Sequence, residues 1–242
     1  VTVTESLTFT GTLHGTVATT VANTKTMSLA ATFFEDPAGT NQKVIGGDGS
    51  TAVTGADAGT RYDFRGITSD SGTTSVEFST GGLINGFTAF SSASTSLKIA
   101  DGETLRITAD QATGRTVESS GTGADDGDIY ITGLAAAVAY DFTGVASGSG
   151  TEKAEFSNTD VILDSGASLG SLELVITNAN TATISEAQAD GRATSGTGNL
   201  TVIAIATDTD LSSVASTGTV IANIASSGDY SANANLGNVD TF

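Results

Sequence analysis

Tyr62-Asp63-Phe64-Arg65-Gly66-Ile67 returns 78 residues later as Tyr140-Asp141-Phe142-Thr143-Gly144-Val145. The echo extends outward in both directions. Gly72 maps to Gly150, and Val76-Glu77-Phe78-Ser79 maps to Ala154-Glu155-Phe156-Ser157. Ala109-Asp-Gln111-Ala-Thr-Gly114-Arg115 recurs as Glu186-Ala-Gln188-Ala-Asp-Gly191-Arg192, offset by 77. A third, eroded copy begins near Thr26. A fixed period of this length marks a chain built from stacked units that cannot bury their apolar faces alone. The chain therefore reads as one elongated repeat domain over 1–242, with repeats at 26–103, 104–181 and 182–242. Phe64 and Phe142 should point inward as core anchors, with Asp63 and Asp141 outward.

The residues between the echoes are those of short strands. Val1-Thr-Val-Thr-Glu-Ser-Leu-Thr-Phe-Thr10 alternates apolar and polar side chains with period two, as a half-buried strand does. Further strands are expected at Ser75–Ser79, Ser96–Ala100, Thr104–Thr108, Asp128–Thr132, Val138–Phe142, Glu152–Phe156, Leu172–Thr177, Ala182–Ser185 and Leu200–Ala206. Helix signal is confined to one turn at Ser185-Glu-Ala-Gln-Ala-Asp before Gly191. Apolar residues at positions one, four and seven of Leu169-Gly-Ser-Leu172-Glu-Leu-Val175 read as a tight bend entering a strand, because an interior Gly costs a helix about 1 kcal/mol.

A repeat of ~75 residues divides into three coils of ~25, the size of a β-helix rung. The fold class is thus all-β, a β-solenoid of the parallel β-helix type. The alternative is a tandem antiparallel β-sandwich, whose frequent hairpin turns this chain also accommodates. With no Trp, one Pro and few large core residues, the solenoid is the better fit.

Composition narrows the function classes. Acids outnumber bases 27 to 9, giving a net charge of −18 and a pI near 4.1. A nucleic-acid binder needs a basic stripe to release counterions, so nucleic acid is not an expected partner, and no apolar run approaches the ~20 residues of a membrane span. The absence of Cys removes disulfides and thiolate metal sites.

Thr104-Leu-Arg-Ile-Thr-Ala-Asp-Gln-Ala-Thr-Gly-Arg115, read with Ala182-Thr-Ile-Ser-Glu-Ala-Gln-Ala-Asp-Gly-Arg192, resembles the L-T-x-x-Q-A-x-G units of very large bacterial extracellular β-strand-repeat proteins, the S-layer-like proteins and secreted adhesins. The resemblance covers most of the chain after Thr26. It implies a secreted, calcium-tolerant scaffold at the cell surface and carries over no catalytic residue.

For chemistry the residues offer little. His14 is the only histidine, no G-x-S-x-G elbow surrounds a serine, and nothing selects a glycosidase-like pair among 27 acids. Gly46-Gly-Asp-Gly-Ser-Thr-Ala-Val53 approaches a calcium-binding nonapeptide but has Thr51 where an Asp ligand is required. Arg115 and Arg192 should pair with acids across a rung. The densest carboxylates, Asp125, Asp126 and Asp128, followed by Asp208 and Asp210, are the candidate metal ligands, since closely spaced carboxylates in a Gly-rich loop suit Ca²⁺.

The expected function is a non-enzymatic extracellular structural protein that assembles with copies of itself into a surface layer or filament, aided by calcium. Strand 1–10 is the candidate assembly strand, added to a neighbour's sheet. The alternative is an adhesin or glycan-binding module, with Tyr130, Tyr140 and Tyr230 as the contacts.

Overall fold

The structure is a computed structural model, described for residues 2–9, 18–36, 44–86, 88–90, 94–121, 125–156, 160–178, 180–206, 208–224, 236–237 and 239–241. The chain is a β-solenoid of about nine stacked coils among the described residues, nearly all of it parallel β. Leu7 stands beside Met27, Met27 beside Thr51, Thr51 beside Thr74 and Thr74 beside Thr95. These steps measure 20 to 24 residues. The sandwich alternative is therefore wrong. Glu35 and Tyr62 meet antiparallel, but only as an isolated bridge. Period-two alternation could not separate the two folds, because a hairpin and a coil both turn one strand face inward.

The chain divides into two compact units. The first comprises Val1–Ile107, Arg115–Ile129 and Ala146–Thr151; the second comprises Thr108–Gly114, Tyr130–Val145 and Glu152–Phe242. In the first unit, like residues stack from coil to coil: Leu29, Val53, Val76, Leu97 and Val117 form one fully buried column. Burying each of these contributes about 1.5–3 kcal/mol. Beside it runs a buried hydroxyl column of Thr51, Thr74 and Thr95, in which the Thr74 and Thr95 hydroxyls bond at 3.3 Å. In the second unit the columns are Ala182-Leu200-Val220 and Ile184-Val202-Ala222. The outward rows carry paired charges: Lys98 meets Glu118 at 3.0 Å and Lys153 meets Glu173 at 3.8 Å, each one coil apart.

The repeat has a structural counterpart. Strand Thr26–Ala30 runs into a 3-10 turn at Ala31–Phe34, strand Thr104–Thr108 into a helical turn at Ala109–Ala112, and strand Thr181–Ser185 into a helical turn at Glu186–Ala189. The turn at Ala109 starts where the sequence supplies an N-cap: Thr108 Oγ1 accepts the Gln111 N–H and Gln111 Oε1 accepts the Thr108 N–H, both at 3.3 Å. Gln188 Oε1 likewise accepts the Ser185 N–H at 2.9 Å. Gly114 and Gly191 end both turns at φ +66° and +63°, the left-handed conformation that favours glycine.

The arithmetic of the repeat differs from three coils of ~25. Three steps along the first ladder carry Met27 only to Thr95, ten residues short of Leu105, its equivalent 78 residues on. The copy at Thr104 therefore falls in another sheet, paired with Gly82–Leu83, and the copy at Thr181 in a third, paired with Val161–Ile162. The first repeat is thus three coils plus one step onto the next sheet.

Two strand expectations change. Val138–Phe142 is a corner, not a strand: Ala137 takes φ +57° and the Tyr140 hydroxyl accepts the Ala135 N–H at 3.1 Å. Strand 1–10 is divided between Thr2–Val3 and Leu7–Phe9, both paired within the chain's own sheets. It is already an integral part of the first coil.

Candidate functional site

The acidic candidates occupy two coil corners whose chemistry recurs along the chain. Asp125, Asp126 and Asp128, with Asp101 and Glu103, line a cleft of about 490 Å³ in the first unit, closed by Ser149, Gly150 and Thr151. Much of this acidity serves the backbone. Asp126 Oδ2 accepts the Ser149 N–H at 2.8 Å and the Ser149 hydroxyl at 3.1 Å, and Asp128 Oδ1 accepts the Thr151 N–H at 2.7 Å. Glu103 Oε2 accepts the Gly81 N–H at 2.8 Å. Asp125 is exposed, and its carbonyl accepts the Gly102 N–H at 2.6 Å. Asp126 Oδ1 is buried without a hydrogen-bond partner. Among the described residues, no group of three or more His, Cys, Asp or Glu side chains is placed to hold a metal ion. The cleft concentrates negative potential without a finished coordination shell.

Asp128 has counterparts elsewhere. Ser50 Oγ accepts the Thr73 N–H at 3.1 Å, and Asn199 Oδ1 accepts the Thr219 N–H at 2.9 Å. Ser6 and Asp160 do the same for Thr26 and Thr181, at 3.0 and 2.6 Å. In each case a short polar side chain caps the strand that begins one coil later. Glycine precedes both partners in three of these pairs: Gly49 and Gly72, Gly127 and Gly150, Gly198 and Gly218. A Cβ on the second glycine would collide with the carbonyl oxygen of the first, so the coils approach here more closely than any other residue permits. The cluster read as candidate metal ligands is thus partly a general cap, written with Asp instead of Ser or Asn.

Asp208 lies exposed in a turn, and Asp210 belongs to a different set. Asp63 Oδ1 accepts the Arg65 N–H at 3.0 Å, Asp141 Oδ1 the Thr143 N–H at 3.0 Å, and Asp210 Oδ1 the Ser212 N–H at 2.9 Å. The next bond is shared too. Ile67, Val145 and Val214 each donate to the carbonyl three residues back, at Phe64, Phe142 and Leu211. Thr209-Asp210-Leu211-Ser212-Ser213-Val214 is therefore a third copy of the Tyr-Asp-Phe corner. It escapes sequence reading because both aromatics are gone and the offset from Asp141 is 69 rather than 78.

The aromatic pairs behave alike. Tyr62 stacks on Phe64 at 5.2 Å and Tyr140 on Phe142 at 5.4 Å, all four side chains buried. The Tyr62 hydroxyl accepts the Asp57 N–H at 3.0 Å, matching the Tyr140–Ala135 bond. Asp141 faces solvent, but Asp63 does not: its side chain is 4% exposed and grips Arg65 at 2.6 and 2.9 Å. A positive partner makes that burial tolerable.

These bonds hold all three corner carboxyls below the ordinary aspartate value. The Arg65 side chain is the main cause at Asp63, the Thr143 side chain at Asp141 and the Ser212 side chain at Asp210. A depressed folded-state pKa contributes stability that is fully present above the unfolded value, 3.8, and is lost as pH falls through the folded values. An Asp63→Asn/Asp141→Asn/Asp210→Asn variant keeps the Oδ1 acceptor at each corner, gives up the Asp63 Oδ2 bond to Arg65, and loses the titration. Its unfolding temperature, followed by circular dichroism from about pH 7 to 2, should fall less steeply below pH ~4 than that of the parent; equal slopes would contradict this assignment.

Arg115 and Arg192 do reach across one coil, but to backbone carbonyls. Arg115 Nη1 donates to Thr95 O at 3.1 Å and Arg192 Nη1 to Leu172 O at 2.8 Å. Arg115 also lies 4.9 Å from the Phe90 ring centre. Burial pulls both guanidinium pKa values down. The remaining candidates are quickly placed. Thr51 faces the core, away from any ligand position. Tyr140 is buried, and Tyr130 is half-buried with Lys153 Nζ 5.4 Å from its ring. His14 and Tyr230 lie outside the described residues. No helix among the described residues is long and apolar enough to cross a membrane.

No protein-family model, curated protein or solved structure matches the chain.

Proposed function

We propose that this chain is a non-enzymatic structural protein of the cell exterior that assembles with copies of itself into a layer or filament. The observation that carries the reading is where the repeated polar residues go. The Asp63, Asp141 and Asp210 carboxylates each brace their own corner, the side chains of Ser50, Asp128 and Asn199 each cap a strand in the next coil, and Arg115 and Arg192 each tie to a carbonyl one coil away. Chemistry that recurs with the repeat is spent on holding the scaffold. The resemblance of the Gln-Ala-x-Gly units to extracellular β-strand-repeat proteins supports the cell-surface part of the reading.

Calcium enters as an aid to assembly. Two chains of charge −18 repel each other, and divalent ions drawn to the acidic cleft and its surroundings reduce that repulsion. Negative-stain imaging of the concentrated protein, in calcium and in chelator, tests both parts. Ordered layers or filaments favoured by calcium are expected. Assemblies indifferent to the chelator would remove the calcium part, and dispersed particles in both conditions would remove the whole reading.

A further inference from the structure

We propose that two copies of this chain meet through the outer face of the sheet formed by Val161–Ile162, Thr181–Ser185, Asn199–Ile205 and Val220–Ile224. The proposal rests on the self-assembly reading and names its contact. One outward row runs Ile162, Thr183, Thr201, Ile221 and Thr241, one residue per coil. The row beside it carries Ile203 and Asn223. Ile162 is 61% exposed and Ile203 38%, and both belong to the second unit.

Charge decides what covers this face. Each chain carries −18, so most ways of bringing two copies together set carboxylates against carboxylates. The two rows hold no charged residue, whereas outward rows of other strands hold Glu77-Lys98-Glu118 and Lys153-Glu173. Among the described residues carboxylates flank the rows: Asp160 caps Thr181, the Asp164 side chain accepts the Gly166 N–H, and the exposed Asp240, next to Thr241, accepts the Val220 N–H. An uncharged centre with a charged rim matches the depletion of charge at the core of protein contacts. It is self-complementary when the same face meets itself about a two-fold axis. Thr201 occupies the middle of its row and would lie near that axis. Thr and Ile are also stiff at χ1, so little side-chain freedom is lost on contact.

The size sets the strength. Five coils spaced by about 4.8 Å and five residues rising about 3.3 Å each give roughly 400 Å² per copy. That is about half of what a standard stable interface buries on each side. Weak, concentration-dependent pairing follows. Because the contact is neutral while the chains repel, added salt should tighten it, the reverse of a salt-bridged interface.

Sedimentation velocity over a concentration series, at low and high salt, is the test. The wild-type chain should associate reversibly and more tightly at high salt. Ile162→Glu/Ile203→Glu should weaken association at least tenfold, while Leu83→Glu, at a 54% exposed site on another sheet, should leave it unchanged. The chain has no cysteine, so Thr201→Cys offers a second readout: mild oxidation should yield a disulfide-linked dimer. Undiminished association of the double variant, or failure of Thr201→Cys to cross-link while the protein still associates, would overturn this face and leave self-assembly standing. A wild-type chain that stays monomeric at every concentration and salt would overturn both.

Discussion

Gly150→Ala should destabilise the protein by about 3 kcal/mol, near the upper end of ordinary overpacking costs. For a chain of this length that corresponds to a fall of roughly 6–12 °C in unfolding temperature. The new Cβ would collide with Gly127 O and lie 2.9 Å from Asp126 O. Both obstacles are backbone, and neither can rotate away as a flexible side chain could. Gly72→Ala should behave similarly against Gly49 O. Gly86 is the control, because nothing lies within 4 Å of its added Cβ; Gly86→Ala should stay within about 0.5 kcal/mol of the parent. Thermal or urea unfolding of the three variants decides the matter. Equal effects at Gly150 and Gly86 would mean the coils do not approach at the glycine columns.

Phe64→Ala should cost about 4 kcal/mol, the middle of the range for emptying a buried aromatic site. Phe64 is fully buried, and its ring centre lies 5.2 Å from Tyr62, 5.4 Å from Phe34 and 5.7 Å from Phe90. Three rings from separate positions of the chain thus lean on one side chain, and the neighbours cannot close the cavity without breaking their own contacts. Phe64→Leu should recover more than half of the loss, since it refills most of the volume. A loss below ~1 kcal/mol for Phe64→Ala would mean that the Tyr-Asp-Phe corner is not a core anchor.

Much of this architecture is written openly in the residues. The Tyr62 and Tyr140 echo announces the repeat, and the alternation of Thr104–Thr108, Asp128–Thr132 and Glu152–Phe156 gives those strands their observed bounds. What stays hidden depends on neighbours far away in sequence. Parallel pairing is invisible locally, because Thr51 meets Thr74 only after a whole coil has closed. Val138–Phe142 misleads because an apolar run matches a strand until Ala137 turns left-handed. Asp63 reads as a surface residue until Arg65 folds back onto it.

The candidate site was legible as an acidic cluster but not as a set of caps. Asp128 does what Ser50 and Asn199 do, and these three residue types share only a short side chain ending in an oxygen. A search for carboxylates finds one of the three. The signal that does identify them is the pair of glycines: Gly-Ser, Gly-Asp or Gly-Asn followed one coil later by Gly-Thr. Asp210 is hidden in the same way, since the Asp-x-x-x-apolar spacing of its corner survives while Tyr and Phe do not.

Amide hydrogen exchange at Thr151 tests most directly whether these recurring residues hold coil to coil. Its N–H is bonded to Asp128 Oδ1 at 2.7 Å across 23 residues of chain. In the calcium-free native protein this amide should exchange slowly, as should those of Thr73 and Thr219. Asp128→Ala should release Thr151 alone, and Asp128→Asn should restore its protection, because Asn199 performs the same task for Thr219. A Thr151 amide that exchanges freely without calcium, or that stays protected in Asp128→Ala, would contradict the assignment of the acidic cluster to the scaffold.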